Sequence, residues 1–331
     1  MTAKAFNLMN HVMRVFRQQW FLLSLLAVLL LGFFFPAPFR APASSASLRN
    51  GVVATVLFLM ALPLEIGAVR RTFQYPWPAL LGSFVNMGCL PLLAAVAARF
   101  LMPDFAAGLI VAAAAPCTLA SAAVWTRRAG GNDAAAIFVT LLTNATCFLT
   151  TPFWLVRLTQ TATELEAGPM VLRLALLVVL PMLAAQLVRF MFPQIGAAAT
   201  RAKVRCGTVA QCGILWMVLT GAVRSGDVLA NSQWGETLQM LDFTKMVLAT
   251  SSVHLLSMYL GYQLARASRM AREDCIAVAI AGSQKTLMVG LHVAITYYSG
   301  LAILPMITYH VGQLFLDTLI ADRMREGSGE F

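Results

Sequence analysis

The chain has 331 residues, of which 59% are apolar and only 11% are charged. A soluble domain carries about 25% charged residues, so this composition excludes a soluble domain of any size and indicates an integral membrane protein. The net charge of +10 does not indicate nucleic-acid binding, because the Lys and Arg residues form short clusters between apolar segments rather than one basic surface.

Apolar segments follow one another along the whole chain. A transmembrane helix needs about 20 apolar residues. Segments bounded by charges or by Pro and Gly clusters predict helices 1 to 10 at residues 20–36, 51–69, 79–100, 105–126, 133–154, 171–192, 207–223, 243–264, 274–296 and 301–320. We therefore predict an all-helical polytopic fold with ten transmembrane helices. Residues 1–19 lack a signal-peptide pattern, and residues 327–331 are typical of an added tail.

Basic residues are distributed unevenly between the connections of the predicted helices. With the N-terminus inside, the inner connections and helix ends hold 16 of the 24 Lys and Arg residues and the outer ones hold seven, while Lys285 lies within predicted helix 9. Positive residues favour the cytoplasmic side of a membrane. The distribution therefore predicts a multi-pass protein of the cell membrane, here a bacterial inner membrane, with both termini in the cytoplasm.

Two predicted helices contain polar, helix-breaking segments near the middle. Residues 115–121 of predicted helix 4 read Ala-Pro-Cys-Thr-Leu-Ala-Ser, and residues 281–286 of predicted helix 9 read Ala-Gly-Ser-Gln-Lys-Thr. Such interruptions mark binding sites at the membrane midplane of transporters. Each half has five helices, an odd number, so two similar halves would lie in opposite orientations across the membrane. We therefore predict two inverted repeats at residues 1–155 and 170–322.

Lys285 lies about halfway along predicted helix 9, where a charge costs several kcal/mol unless it faces water or a partner. One interpretation is a structural cation that bonds carbonyls freed by the helix break. The other is a cation that binds an anionic substrate or stands where a coupling ion would lie. The candidate site combines this lysine with polar groups on neighbouring predicted helices: Lys285, Gln284, Ser283, Asn86, Thr118, Ser121, Thr140, Asn144 and His310.

For the histidines within the predicted helices, packing in the interior is the alternative to a functional role. His310 is included in the candidate site as a proton-linked or substrate-contacting group, with a packing histidine as the alternative, and His254 is interpreted as packing. His310 and Asp317 are two helical turns apart, roughly 10 Å, and therefore cannot bond directly. The sequence contains no HExxH motif, Gly-rich phosphate loop or Ser/His/Asp set, so we expect neither an enzyme nor a metal centre.

Four stretches resemble the bile acid:sodium symporter family, solute carrier family 10. Residues 115–152 resemble its fourth and fifth helices, residues 75–91 resemble its third helix, and residues 282–287 and 309–314 are similar to the branch typified by member seven. The resemblance implies a panel of helices 1, 2, 6 and 7 and a core of helices 3–5 and 8–10. Helices 4 and 9 would break and cross in the core, beside a substrate crevice used for alternating access.

The same resemblance implies two sodium sites, and this sequence departs from both. At the first, the family's Gln, Glu and Gln fall on Asn86, Ile280 and Gln284. At the second, Thr140 matches, Ala136 replaces a Ser, and Ser121 is followed by Ala instead of Asn. Loss of the carboxylate and gain of Lys285 invert the local charge. The sequence therefore leaves the coupling ion open between sodium, a proton and none, and no other cofactor is expected.

Together these features predict a secondary transporter that moves an organic anion, such as a bile-acid-like or other amphipathic carboxylate. The alternative is a membrane receptor or regulator that binds a lipid or organic anion without moving it. The expected partners are the small organic anion and membrane lipid, with no nucleic acid, and we expect a monomer.

Overall fold

Helices form nearly all of the part of the chain that the structure describes. The computed structural model describes residues 20–65, 72, 74–119, 121–159, 166–231, 239–298 and 300–326, and contains no strand among them. The helices are α1 Trp20–Phe34, α2 Arg40–Ser44, α3 Ala46–Ala61, α4 Trp77–Ala98, α5 Pro103–Ala114, α6 Ser121–Arg128, α7 Asp133–Leu158, α8 Ala167–Met191, α9 Pro193–Arg201, α10 Lys203–Asn231, α11 Met240–Ala267, α12 Arg272–Ser283, α13 Leu287–Tyr297 and α14 Ile303–Glu326.

Each of the ten predicted segments overlaps one of these helices. Predicted helix 4 is divided into α5 and α6, and predicted helix 9 into α12 and α13. The end of predicted helix 2 differs, because α3 stops at Ala61 and residues 66–69 lie outside the described part of the chain.

Within the described residues, six helical stretches are long and apolar enough to cross a membrane. They are Trp77–Ala98, Asp133–Leu158, Ala167–Met191, Lys203–Val228, Arg272–Tyr297 and Gly300–Arg325, with a seventh if the sharply bent pair Trp20–Phe34 and Ala37–Ser44 counts as one span. Apolar α3 and α5 are shorter. The long α11 contains Asp242, Lys245 and a buried His254, which lower its hydropathy. The exact count of ten crossings therefore stays a prediction.

The surface and interior differ as a membrane protein requires. Large apolar side chains such as Leu183, Phe190 and Phe315 are mostly exposed, which in water would leave an extended apolar surface. By contrast, α12 and α13 are buried from Asp274 to Ile295. Gly82 on α4 allows close packing, since a Cβ there would lie 2.7 Å from Val139 of α7. This glycine therefore lets α4 lie close to α7 and to Val278 of α12.

The two predicted interruptions are present and face each other. Ala115 is extended (φ −65°, ψ 153°), because the residue before a proline avoids the helical region, and α5 therefore ends at Ala114. Gln284 and Thr286 are extended in the same way between α12 and α13. The Thr286 N–H donates to the Pro116 carbonyl at 2.9 Å. A backbone hydrogen bond therefore joins the two breaks.

Candidate functional site

Lys285 lies at the junction of the two breaks and is fully buried. Its Nζ donates to the Asn86 carbonyl oxygen at 2.7 Å, to Asn86 Oδ1 at 2.9 Å and to the Ala115 carbonyl oxygen at 2.7 Å. An ammonium group has three donors, so all of them are used. No carboxylate pairs with this lysine in the part of the chain that the structure describes.

The carbonyls that Lys285 binds are free for identifiable reasons. The π-helical turn Val85–Cys89 widens α4, and within it the Leu90 N–H bonds the Val85 carbonyl five residues earlier. Pro91 has no N–H, so the Asn86 carbonyl has no partner within the helix. Ala115 follows the end of α5, where carbonyls also lack helical partners and a positive charge is favoured. The ammonium therefore satisfies two defects of the helical backbone at once.

Side chains satisfy the remaining backbone groups at the end of α12. Asn86 Nδ2 donates to the carbonyls of Ala281 at 3.0 Å and Gln284 at 2.9 Å. The Gln313 amide pairs with both backbone groups of Lys285, accepting from its N–H at 2.8 Å and donating to its carbonyl at 2.9 Å. The Tyr309 hydroxyl donates to the Ser283 carbonyl at 2.8 Å. This chain segment can therefore leave the helix without leaving buried polar groups unpaired.

The break between α5 and α6 is held mainly from α7. Asn144 Nδ2 donates to the Cys117 carbonyl at 2.8 Å, and the Thr140 hydroxyl donates to the Thr118 carbonyl at 3.1 Å. The Cys117 N–H donates to Thr143 Oγ1 at 3.2 Å. Thr140 and Asn144, both predicted site residues, therefore bond the backbone of the break.

A second polar chain crosses the centre of the bundle. The Ser121 hydroxyl donates to Gln284 Oε1 at 2.9 Å, and Gln284 Nε2 donates to Asp317 Oδ2. Asp317 Oδ1 lies 2.9 Å from His254 Nε2. Thr118 Oγ1 extends the chain, 2.9 Å from the Ser121 hydroxyl. The network therefore joins α6, α11, α14 and the segment between α12 and α13.

Sequence reasoning missed part of this network. Interpreting His254 as a packing residue overlooked its bond to Asp317, and neither residue was assigned to the site. Gln313 and Tyr309 were also left out, although both lie in residues 309–314, which carry the family resemblance. The family motif at residues 309–314 is the sequence feature that could have assigned Gln313 and Tyr309 to the site. His310 Nδ1 lies 2.9 Å from Gln313 Nε2, and the described network contains no hydrogen bond between His310 and Asp317.

The positions aligned with the two sodium sites do not fit a sodium ion. Ile280 and Ala136 are buried in apolar clusters and offer no oxygen ligand from their side chains. Asn86 Oδ1 is bonded to the Lys285 ammonium, and Gln284 Oε1 accepts from Ser121. Sodium prefers oxygen ligands that carry negative charge, whereas the charged group at this point is a cation.

A cavity of about 320 Å³ lies against α7, between that helix and α3 and α8. Its lining is apolar except for Asn144 and Gln186: Ala61, Phe138, Leu141, Leu142, Asn144, Ala145, Val179, Met182, Leu183 and Gln186. Asn144 connects the cavity to the break, because its Nδ2 bonds the Cys117 carbonyl while its Oδ1 has no hydrogen-bond partner among the residues that the structure describes. The cavity size falls within the ordinary range for small-molecule sites.

Two interrupted helices joined at buried polar segments are the architecture of secondary transporters. A sequence model of the SBF-like CPA transporter family matches residues 19–326, and the chain belongs to this family. It is therefore a multi-pass membrane protein of a transporter family rather than of an enzyme family. The resemblance to bile acid:sodium symporters, inferred from the motifs, is confirmed.

Individual relatives are distant in sequence. The chain is 25% identical over 308 residues to an uncharacterized sodium-dependent transporter, YocS, of Bacillus subtilis, covering 92% of this chain and 91% of the relative. It is 22% identical over 224 residues to sodium/bile acid cotransporter 7-B of Xenopus laevis, covering 66% of this chain and 63% of the relative.

Proposed function

We propose that this protein is a secondary transporter that moves an organic anion by alternating access without binding sodium at the family's two sites. The contact of Lys285 Nζ with three oxygen atoms at the junction of the breaks carries this proposal. The ammonium takes the place that a coupling cation fills in sodium-coupled members of the family. A sodium ion beside it would meet a repulsion of about 4 kcal/mol at 4 Å in a medium of intermediate dielectric.

The proposed architecture is ten transmembrane helices in two inverted repeats, residues 1–155 and 170–322. Predicted helices 1, 2, 6 and 7 would form the panel and predicted helices 3–5 and 8–10 the core, with both termini on the cytoplasmic side of a bacterial inner membrane. The uneven distribution of basic residues supports this orientation. The two paired interruptions at corresponding positions of the halves support the repeat.

The cavity beside Asn144 supports an amphipathic substrate. Its apolar lining would take a hydrophobic body, and Asn144 and Gln186 would provide the polar contacts that orient it. It separates α3 and α8, assigned to the panel, from α7, assigned to the core, so closure of one side against the other would enclose a ligand. The other predicted site residues would hold the breaks in shape beneath it.

Uptake into sealed proteoliposomes tests the proposal. We expect cholate or decanoate to enter vesicles that contain the protein, at rates unchanged when a sodium gradient replaces a potassium gradient. Asn144→Leu should reduce uptake about tenfold, because it removes the amide contact with the substrate, which contributes about 1.4 kcal/mol, and narrows the cavity. Thr208→Val is the matched control, since that hydroxyl bonds only its own helix at an exposed site.

Two results would overturn the proposal. Uptake no faster than in empty vesicles for every anion tested would refute transport and favour a ligand-binding receptor. Tenfold stimulation by sodium alone would refute the role assigned to Lys285 and agree with the names of the relatives.

A further inference from the structure

Four basic side chains lie near one another, away from the breaks. Arg49 of α3 is within electrostatic reach of Arg173 of α8 and Arg224 of α10, and each of those two charges repels the charge of Arg49. His292 of α13 is close to Arg49 and Arg173. Three of the contributing helices belong to the predicted panel and one to the predicted core. We call these four residues the arginine cluster.

The arginine cluster has no acidic partner among the described residues. None of Arg49, Arg173 and Arg224 takes part in an ion pair there. The acid one turn beyond Arg224, Asp227, pairs instead with Arg40 at 2.7 Å. Guanidinium groups held together at a membrane helix end without a carboxylate are unfavourable unless an anion joins them.

Several polar groups in the cluster are buried and unpaired. Arg49 is only 7% exposed, and its Nε and Nη1 have no hydrogen-bond partner among the described residues. His292 is 0% exposed, and neither ring nitrogen has a partner in the same part of the chain. Thr296 Oγ1 and the Tyr297 hydroxyl, one helical turn further along α13, are unpaired as well. Buried polar groups are normally satisfied, so this concentration of unused donors points to a ligand.

The surrounding packing holds the cluster in place. Arg224 Nη1 donates to the Ile295 carbonyl, and the Ser225 hydroxyl donates to the Gly300 carbonyl at 2.6 Å. A Cβ on Gly300 would lie 2.7 Å from the Arg224 carbonyl group, so the glycine permits this close approach. The Arg173 guanidinium lies 5.6 Å from the centre of the Tyr297 ring. The donors are therefore positioned before any ligand arrives.

We propose that the arginine cluster is an anion-binding site that takes the carboxylate or sulfonate head group of an organic anion. A guanidinium presents two parallel N–H donors, which match the two oxygens of such a head group. Arg49 precedes Ala61, which lines the cavity, by 12 residues of α3, or about 18 Å, so the two sites are distinct. That the bound anion is the transported substrate rests on the function proposed above.

Binding to the purified protein in phosphatidylcholine nanodiscs tests the site. The probes are cholate, decanoate and the uncharged methyl ester of cholate. We expect Arg49→Gln and Arg224→Gln each to weaken binding of the two anions at least tenfold and to leave binding of the ester unchanged. Arg99→Gln is the matched control, because it removes the same charge from an exposed residue at the end of α4.

The melting temperature of the ligand-free protein separates a binding role from a structural one. Arg49→Gln should leave it unchanged or raise it, because the substitution removes a buried, unpaired charge. A lowered melting temperature, with anion affinity unchanged, would show that Arg49 supports the fold and would overturn the proposal. So would anion binding that is equal in Arg49→Gln, Arg224→Gln and the unaltered protein, or no measurable binding of either anion.

A phospholipid head group is the competing source of an anion. Two results together would make the cluster a lipid site: phosphatidylglycerol in the nanodisc abolishes cholate binding, and the stabilisation of the protein by phosphatidylglycerol requires Arg49. The assignment to substrate would then fail. Failure of the transport function is a separate result. Binding that depends on Arg49, without uptake, would support the site and refute transport. Uptake that does not depend on Arg49 would support transport and refute the site.

Discussion

Replacing Lys285 with Met tests the central contact of the site. Methionine has nearly the same length but no charge, so the change leaves the Asn86 carbonyl, Asn86 Oδ1 and the Ala115 carbonyl unpaired in the interior. Each buried acceptor without a partner costs about 1–3 kcal/mol. Relief from burying the ammonium offsets part of this cost. We expect a net loss of roughly 3 kcal/mol of stability, the lower limit for the three acceptors.

The same substitution should create an affinity for sodium that the unaltered protein lacks. Three oxygens would then surround a space without a cation. If sodium binds with a Kd of about 1 mM, then at about 100 mM it restores roughly 2.7 kcal/mol. That corresponds to about 5 °C in the melting temperature, at roughly 2 °C per kcal/mol for a chain of this size.

Thermal unfolding in sodium chloride, with potassium chloride as the salt control, measures both effects. Lys245→Met, which removes an exposed lysine of α11, controls for the loss of charge. Equal stabilisation of the unaltered protein and the Lys285→Met variant by sodium would refute the reasoning. So would a variant that is more stable than the unaltered protein and indifferent to sodium.

Three further outcomes follow from the packing and the polar network. Gly108→Val should prevent stable folding, because a Cβ there overlaps the backbone of residue 302. Gly51→Ala should be tolerated, because no atom lies nearby. The yield of detergent-solubilised protein after size-exclusion chromatography compares the two variants. Asp317→Asn should lower the free energy of unfolding by about 1.5–3 kcal/mol, because it weakens the bonds to His254 and Gln284. Asp322→Asn, which alters an exposed ion pair, should change the melting temperature little. An equal fall of the melting temperature in both variants would contradict this prediction. Reporter proteins fused to either end should report a cytoplasmic location for both, and alkaline phosphatase activity at either end would exclude that topology.

The helical architecture and its interruptions were predictable because they depend on local chemistry. Apolar runs long enough for a bilayer predict helices, and Pro116 forces its predecessor out of the helical region. The polar sequence around Lys285 likewise predicted an interruption, which the structure places between α12 and α13. The count of ten crossings does not follow from these patterns alone, since α3 and α5 are short for a membrane span.

The partners of the buried charges were not predictable in this way. His254 and Asp317 are 63 residues apart in the chain, and only the packing of α11 against α14 brings them to 2.9 Å. The arginine cluster was likewise hidden. In the sequence, Arg49, Arg173 and Arg224 were counted only as basic residues at outer helix ends, a pattern that concerns topology and carries no information on distance.

The sequence by itself thus determined that the chain is a helical membrane protein of a transporter family, with two helices interrupted by polar residues. These properties are set by the composition and by residues close together in the chain. Only the tertiary structure decided what the interruptions and charges contact. Lys285 bonds three oxygens from α4 and the end of α5, and the arginines lie together with no acidic partner among the residues that the structure describes. The physical reason is that burial and pairing depend on distances between helices, which no local pattern specifies.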